Sequence, residues 1–144
     1  MSCWDSSALA KLFLLEPDSG DFRARAVADW PLTAAHLARL ELATAFRRKE
    51  AEGLLKPGAA KMLRQRFDRF VSKGRIILKT ESPQVRTSFE RVLEDCFSAR
   101  PPVFVRTNDA IHIATALAAG ETDFVSADAR QKKAAETCGL TVHP

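Results

Sequence analysis

The chain of 144 residues lacks an apolar run long enough to cross a bilayer, because its hydrophobic stretches are short and broken by charge. No membrane-spanning segment is expected. Its opening, Met1-Ser2-Cys3-Trp4-Asp5, lacks the basic stretch followed by an apolar one that marks a secretory leader, so the expectation is a cytoplasmic protein. Cysteine is scarce: Cys3, Cys96 and Cys138 are odd in number, far apart and without CxxC spacing. They read as small buried hydrophobes rather than as a disulfide frame or a zinc site. Several catalytic signatures are also missing. Without GxSxG, HExxH, GxxxxGKS/T or GxGxxG, the serine-hydrolase, zinc-protease, P-loop and dinucleotide-binding classes lose their support. A catalytic cysteine would need a positioned histidine, which nothing in the sequence indicates. There is no internal repeat, low-complexity tract or linker, and the length suits one domain over residues 1–144.

What the chain does have is a lopsided charge. The net charge is +4, yet residues 39–75 hold 11 Lys/Arg against 4 Asp/Glu. A local positive field of this kind suits a polyanion such as nucleic acid, although a solvated helical face accounts for it equally well. Aromatic interleaving, which would favour nucleic acid, is absent, because Phe46, Phe67 and Phe70 fall at core positions.

Apolar strands alternate with longer helical patterns, which predicts an α/β fold with a mostly parallel sheet of four to five strands flanked by helices. Strands are expected at Cys3-Trp4, 31–35, 75–79, 123–127 and 139–142. Helices are expected over 6–15, 18–29, 36–52, 58–73, 82–98, 107–119 and 129–137. Lys56-Pro57-Gly58 and Arg100-Pro101-Pro102 act as breakers, and Ser82-Pro83 supplies a cap followed by proline at the first helical position.

Four acids are candidates for chemistry. Asp5 follows the first strand and Asp128 follows the strand at 123–127, and ligands of open α/β sheets bind beyond such carboxyl ends. Asp109 opens the Ala-rich helix. Each of these three is also placed to cap or favour a helix N-terminus, and Asp128-Ala129-Arg130-Gln131 has capping-box spacing. Glu41 is different. Its helical neighbours Leu37, Ala38, Thr44 and Ala45 offer no cation, so its charge must find a partner elsewhere in the fold. His112, one turn after Asp109, reads as a packed helix residue rather than a ligand or base.

Taken together, these segments resemble the PIN-domain family, in particular the VapC-type toxins of bacterial toxin–antitoxin pairs. Asp5-Ser6-Ser7-Ala8-Leu9-Ala10-Lys11-Leu12 looks like the family's opening and Leu40-Glu41-Leu42-Ala43-Thr44-Ala45 like its second acidic motif. Asn108-Asp109-Ala110-Ile111-His112-Ile113-Ala114-Thr115-Ala116 is similar to the third and is the most specific match. Asp123-Phe124-Val125-Ser126-Ala127-Asp128, followed by Gly139-Leu140-Thr141-Val142, resembles the closing strand, acid and last strand.

The resemblance implies a three-layer PIN-like fold in which Asp5, Glu41, Asp109 and Asp128 converge on Mg2+ or Mn2+, with the Ser6 and Ser126 hydroxyls as supporting neighbours. Asp5 and Asp109 would be the principal ligands, Glu41 would orient metal or water, and Asp128 would support. Four oxygen donors without histidine suit Mg2+ or Mn2+ rather than zinc. Also implied are hydrolysis of RNA phosphodiesters by metal-activated water, a cognate antitoxin as partner, and a homodimer. Two rival readings stand beside this. A haloacid-dehalogenase-like phosphoryl-transfer domain would need a second Asp where Ser7 stands, and a receiver-like domain would need an Asp after a mid-chain strand. A non-catalytic RNA- or protein-binding PIN-fold module, its acids serving only as caps, is the rival from another class.

Overall fold

The computed structural model describes all residues, 1–144. Its elements in chain order are β1 (Cys3–Trp4), α1 (Ser6–Phe13), α2 (Ser19–Asp29), β2 (Leu32–Ala35), α3 (Leu37–Ala51), α4 (Ala59–Ser72) and β3 (Ile76–Lys79). The second half continues with α5 (Pro83–Ser98), α6 (Thr107–Ala118), β4 (Asp123–Val125), α7 (Ala129–Thr137) and β5 (Thr141–His143). The five strands form one sheet in the order β3-β2-β1-β4-β5, and every neighbouring pair is parallel. The predicted fold class, a parallel sheet flanked by helices, is what is observed.

Alternation along short strands creates the layers. Trp4 and Val125 point into a cluster of 17 buried residues lined by α1 to α4, whereas Cys3 and Phe124 point into one of 13 under α5, α6 and α7. Helices therefore cover both faces, as an all-parallel sheet requires. Phe46 and Phe67 are buried in the first cluster and Phe70 packs against it, so these aromatics are core rather than binding surface.

The sheet reverses its build direction at β1, with β2 on one side and β4 on the other. Such a switch point opens a crevice beyond the carboxyl ends of the strands. The register is tight there. Trp4 pairs with Val125, and the Asp5 N–H donates to the Val125 carbonyl at 3.1 Å, so the turns after β1 and β4 start side by side.

A few boundaries differ from expectation. α1 stops at Phe13, since Leu14 turns extended and its carbonyl accepts from Ser19 Oγ and Arg23 Nη2. β2 starts after Pro31, which has no N–H for the ladder. β4 ends at Val125 because the next residues turn into the cap of α7, and β5 lies at 141–143 rather than 139–142. Ser82 caps α5 as expected, accepting from the Val85 N–H at 3.2 Å.

Candidate active site

Asp5 lies at the switch point and is completely buried. It caps α1 by accepting from the Ala8 N–H at 2.8 Å. The capping role is only part of its bonding. Ser7 Oγ donates to it at 2.8 and 2.9 Å, and Ser126 Oγ, itself buried, donates to Oδ2 at 2.6 Å. Burial pushes the Asp5 carboxyl up from its ordinary range, against the pull of these donors and of the nearby His112 ring. The fold thus holds a carboxylate where it is reluctant to ionise, with its orientation fixed by four hydrogen bonds.

Ser7 and Ser126 also join the two turns. Ser7 Oγ accepts from the Ala127 N–H at 2.9 Å, and Ser126 Oγ accepts from the Asp128 N–H at 3.0 Å. Asp128 caps α7, receiving the N–H of Arg130 at 2.8 Å and of Gln131 at 3.4 Å. Its other oxygen is 3.5 Å from Arg106 Nη2.

Asp109 sits in the first turn of α6 and caps nothing. Arg106, three residues earlier, bonds it with Nε at 2.8 Å and Nη2 at 3.5 Å. Glu41, on α3, finds the partner that its own helix withholds. His112 Nε2 is 2.6 Å from Oε2, and Asn108 Nδ2 donates to Oε1 at 3.2 Å. Burial raises the Glu41 carboxyl, but the His112 ring, the Ser6 hydroxyl and Asn108 outweigh it and hold the group below the usual range. An ionised carboxylate only accepts, so the ring nitrogen is the donor.

Asp5, Asp128 and Asp109 therefore belong to one bonded network, and Glu41 is tied to the same helix, α6, that carries Asp109. The network runs from Asp5 through Ser126 to Asp128 and through Arg106 to Asp109, and Asn108 and His112 hold Glu41. Ser126 lies inside it, while Ser6 stands against Glu41. A hollow of about 360 Å³ lined by Glu41, Arg106, Thr107, Asn108 and Asp109 opens above it. A second, of about 530 Å³, lies between Ser7, Lys11, Lys49 and Asp128. Glu41, Ala45 and Lys49 share one face of α3, so cationic α3 leads directly away from the acids.

Four members of the site, Ser7, Arg106, Asn108 and His112, were not marked by sequence reasoning. His112 was read as packing, and it is buried, yet it also carries Glu41. The usable signal was its spacing from Asn108, one turn earlier on the same face. Arg106 and Ser7 had only their neighbourhood to Asp109 and Asp5, which is no signal of itself.

Divalent-cation binding is a question of donors and of placement. The acids supply oxygens suited to a hard cation. As positioned, however, no three His, Cys, Asp or Glu side chains group closely enough to hold an ion. Asp109 and Asp128 face Arg106, Glu41 faces His112, and Asp5 faces two serines.

A five-stranded parallel sheet with acids from four segments joined at its switch point defines a PIN-type nuclease fold. No protein-family profile matches the chain. It is 33% identical to Ribonuclease VapC35 of Mycobacterium tuberculosis, in strains CDC 1551 and H37Rv, over 96% of this chain and 92% of the relative. The chain belongs to the VapC family of PIN-domain ribonucleases, toxins that act as endoribonucleases.

Solved structures agree on the fold. FitAcB from Neisseria gonorrhoeae superposes with TM-score 0.72 at 15% identity, covering 100% of this chain and 97% of that one. VapC20 of Mycobacterium tuberculosis, described as a sarcin-ricin loop cleaving toxin, gives 0.69 at 14%, with 100% of both chains covered. VapBC2 from Rickettsia felis, bound to a DNA fragment from its promoter, gives 0.68 at 12%, covering 99% and 96%.

Proposed function

We propose that residues 1–144 act as one PIN-like domain that cleaves single-stranded or looped RNA with Mg2+ or Mn2+, using Asp5, Glu41, Asp109 and Asp128. The observation that carries this reading is the gathering of four acids remote in the chain at one place, Asp5, Asp128 and Asp109 linked through Ser126 and Arg106, and Glu41 held against α6 by His112 and Asn108. A bound cation would neutralise charge on the phosphate and make a water more acidic. The chain's own residues supply the rest. Asp5 is held rigid by Ser7, Ser126 and the α1 N-terminus. Glu41 is kept ionised and oriented by His112 and Asn108. The exposed, unpaired cations of α3 and α4, Arg48, Arg64 and Arg69, attract the RNA backbone.

By the same reading, an antitoxin binds this protein and covers the acid hollow, and the chain pairs with itself as a homodimer. Exposed Leu40, Phe97 and Phe104 offer apolar surface for protein contacts of that kind. We place the protein in the cytoplasm; no helix is long and apolar enough to cross a membrane.

One observation favours the rival, a non-catalytic RNA- or protein-binding module. Every acid is satisfied without a metal, two of them as helix caps. Incubating the purified chain with RNA and Mg2+, beside Asp5→Ala/Asp109→Ala, separates the readings. Cleavage should be abolished by EDTA and should fall by about two orders of magnitude or more in the double variant. Equal cleavage by both chains rejects these residues. Mn2+ should also raise the melting temperature, and Asp109→Asn should blunt that rise.

A further inference from the structure

Arg106 occupies the N-cap position of α6 but makes no capping hydrogen bond. A cation there meets the unfavourable end of the helix dipole, so something other than the helix holds it. The holders are two carboxylates from separate elements. Its Nε lies 2.8 Å from Asp109 Oδ2, and its Nη2 lies 3.5 Å from both Asp109 Oδ1 and Asp128 Oδ2. Glu41 adds to the negative field on the same guanidinium. Arg106 thus bridges Asp109 and Asp128 on the acidic rim that α3, α6 and the turn after β4 create together, with Arg130 Nε a longer 4.0 Å contact to the other oxygen of Asp128.

The side chain is 63% exposed, so little packing resists its departure. The oxygens it occupies are of the kind that a hard cation needs, and no three His, Cys, Asp or Glu side chains stand together in this arrangement. We propose that Arg106 is the resident counter-ion of Asp109 and Asp128, that it must withdraw before those oxygens can hold a divalent cation, and that its freed guanidinium then takes a phosphate of the RNA. The planar fork that grips a carboxylate matches a phosphate equally well. This inference rests on the metal-dependent ribonuclease reading above.

Calorimetric titration with Mn2+ alone, without RNA, tests the exchange in the full chain and in Arg106→Gln and Arg106→Lys. The Gln variant should bind Mn2+ about fivefold more tightly, as expected for losing a competing exposed ion pair, and the Lys variant should stay near the parent. Equal or weaker Mn2+ binding by Arg106→Gln overturns the proposal. At saturating Mn2+, the same Gln variant should show a raised KM for a fluorogenic single-stranded RNA. The salt dependence of that KM should fall by about 0.7 in log–log slope, one phosphate contact. An unchanged slope removes the phosphate role. If no chain binds Mn2+ at all, the metal-dependent reading itself fails and takes this inference with it.

Discussion

Glu41 Oε2 and His112 Nε2 lie 2.6 Å apart across α3 and α6, although 71 positions separate them in the chain. The bond satisfies an acid whose helical neighbours three and four positions away offer no cation. Truncating the ring in His112→Ala leaves a half-buried carboxylate with only Asn108 and the Ser6 hydroxyl as side-chain partners, and opens a hole where a fully buried side chain was. Lost bonding and packing together should destabilise by on the order of 2 kcal/mol or more. Denaturant unfolding measures this, and a change below about 0.5 kcal/mol would show that the pair holds nothing together. RNA cleavage should fall along with it, because Glu41 loses its orientation.

Asp5 answers to the opposite rule. Its folded carboxyl is raised by burial, so ionising it costs stability, and that cost appears as pH climbs from the ordinary carboxylate range through the raised value. Asp5→Asn removes the cost. At pH 7 the variant should therefore melt higher than the parent, by about 4 °C for each kcal/mol regained, while its ribonuclease activity disappears. Below the ordinary carboxylate range both chains are neutral at this position, and the difference in melting temperature should vanish. Glu41 runs the other way. Its carboxyl is held low, so the stability it contributes is present above the ordinary range and is lost as acid protonates it. A melting temperature for Asp5→Asn that is lower at pH 7 would mean that the four hydrogen bonds outweigh desolvation.

Much of this fold could be read from local signals, for reasons that particular residues make plain. Ser82-Pro83 fixes the start of α5 by capping and by proline's tolerance at the first helical position, and it does so whatever the tertiary context. Short apolar runs alternating with longer helical patterns pointed to parallel strands. The strand ends were harder, because Pro31 and Ser126 are decided by ladder pairing rather than by propensity. At the site, the absence of a local partner made Glu41 visible, but no periodicity names a partner on another helix. Asp5 illustrates a different limit. Capping and site chemistry compete as readings of its position in the sequence, yet the same carboxylate serves α1 while it joins the acid network.

The basic excess on α3 and α4 offers a quantitative test of RNA contact. Arg48, Arg64 and Arg69 are exposed and lack a carboxylate partner within 4 Å, unlike Arg39, which pairs with Asp68. Replacing the three with Gln should weaken RNA binding and leave folding intact. If all three meet phosphates, the slope of log affinity against log salt should shrink by about 2, at roughly 0.7 per contact with a single strand. An unaltered slope would assign the charge to solvation alone.

The three cysteines should be inert. All are free and buried, and Cys96 and Cys138 Sγ atoms sit 3.9 Å apart under α7 without a disulfide. Burial pushes the Cys138 thiol up to about 12, with the neighbouring Cys96 adding to the rise, and burial likewise drives Cys3 far upward. Thiolate is the reacting species, so neither residue presents an appreciable nucleophile at neutral pH. Iodoacetamide at pH 7.5 should leave the native chain unmodified by mass spectrometry over hours and add three groups once guanidinium unfolds it. Protection should also collapse on thermal unfolding at the same pH, because it comes from packing against α5 and α7 rather than from any covalent bond. Rapid labelling of Cys138 in the folded protein would mean that α7 opens locally. Since Asp128 caps that helix and shares Arg106 with Asp109, such opening would loosen one corner of the acid network as well.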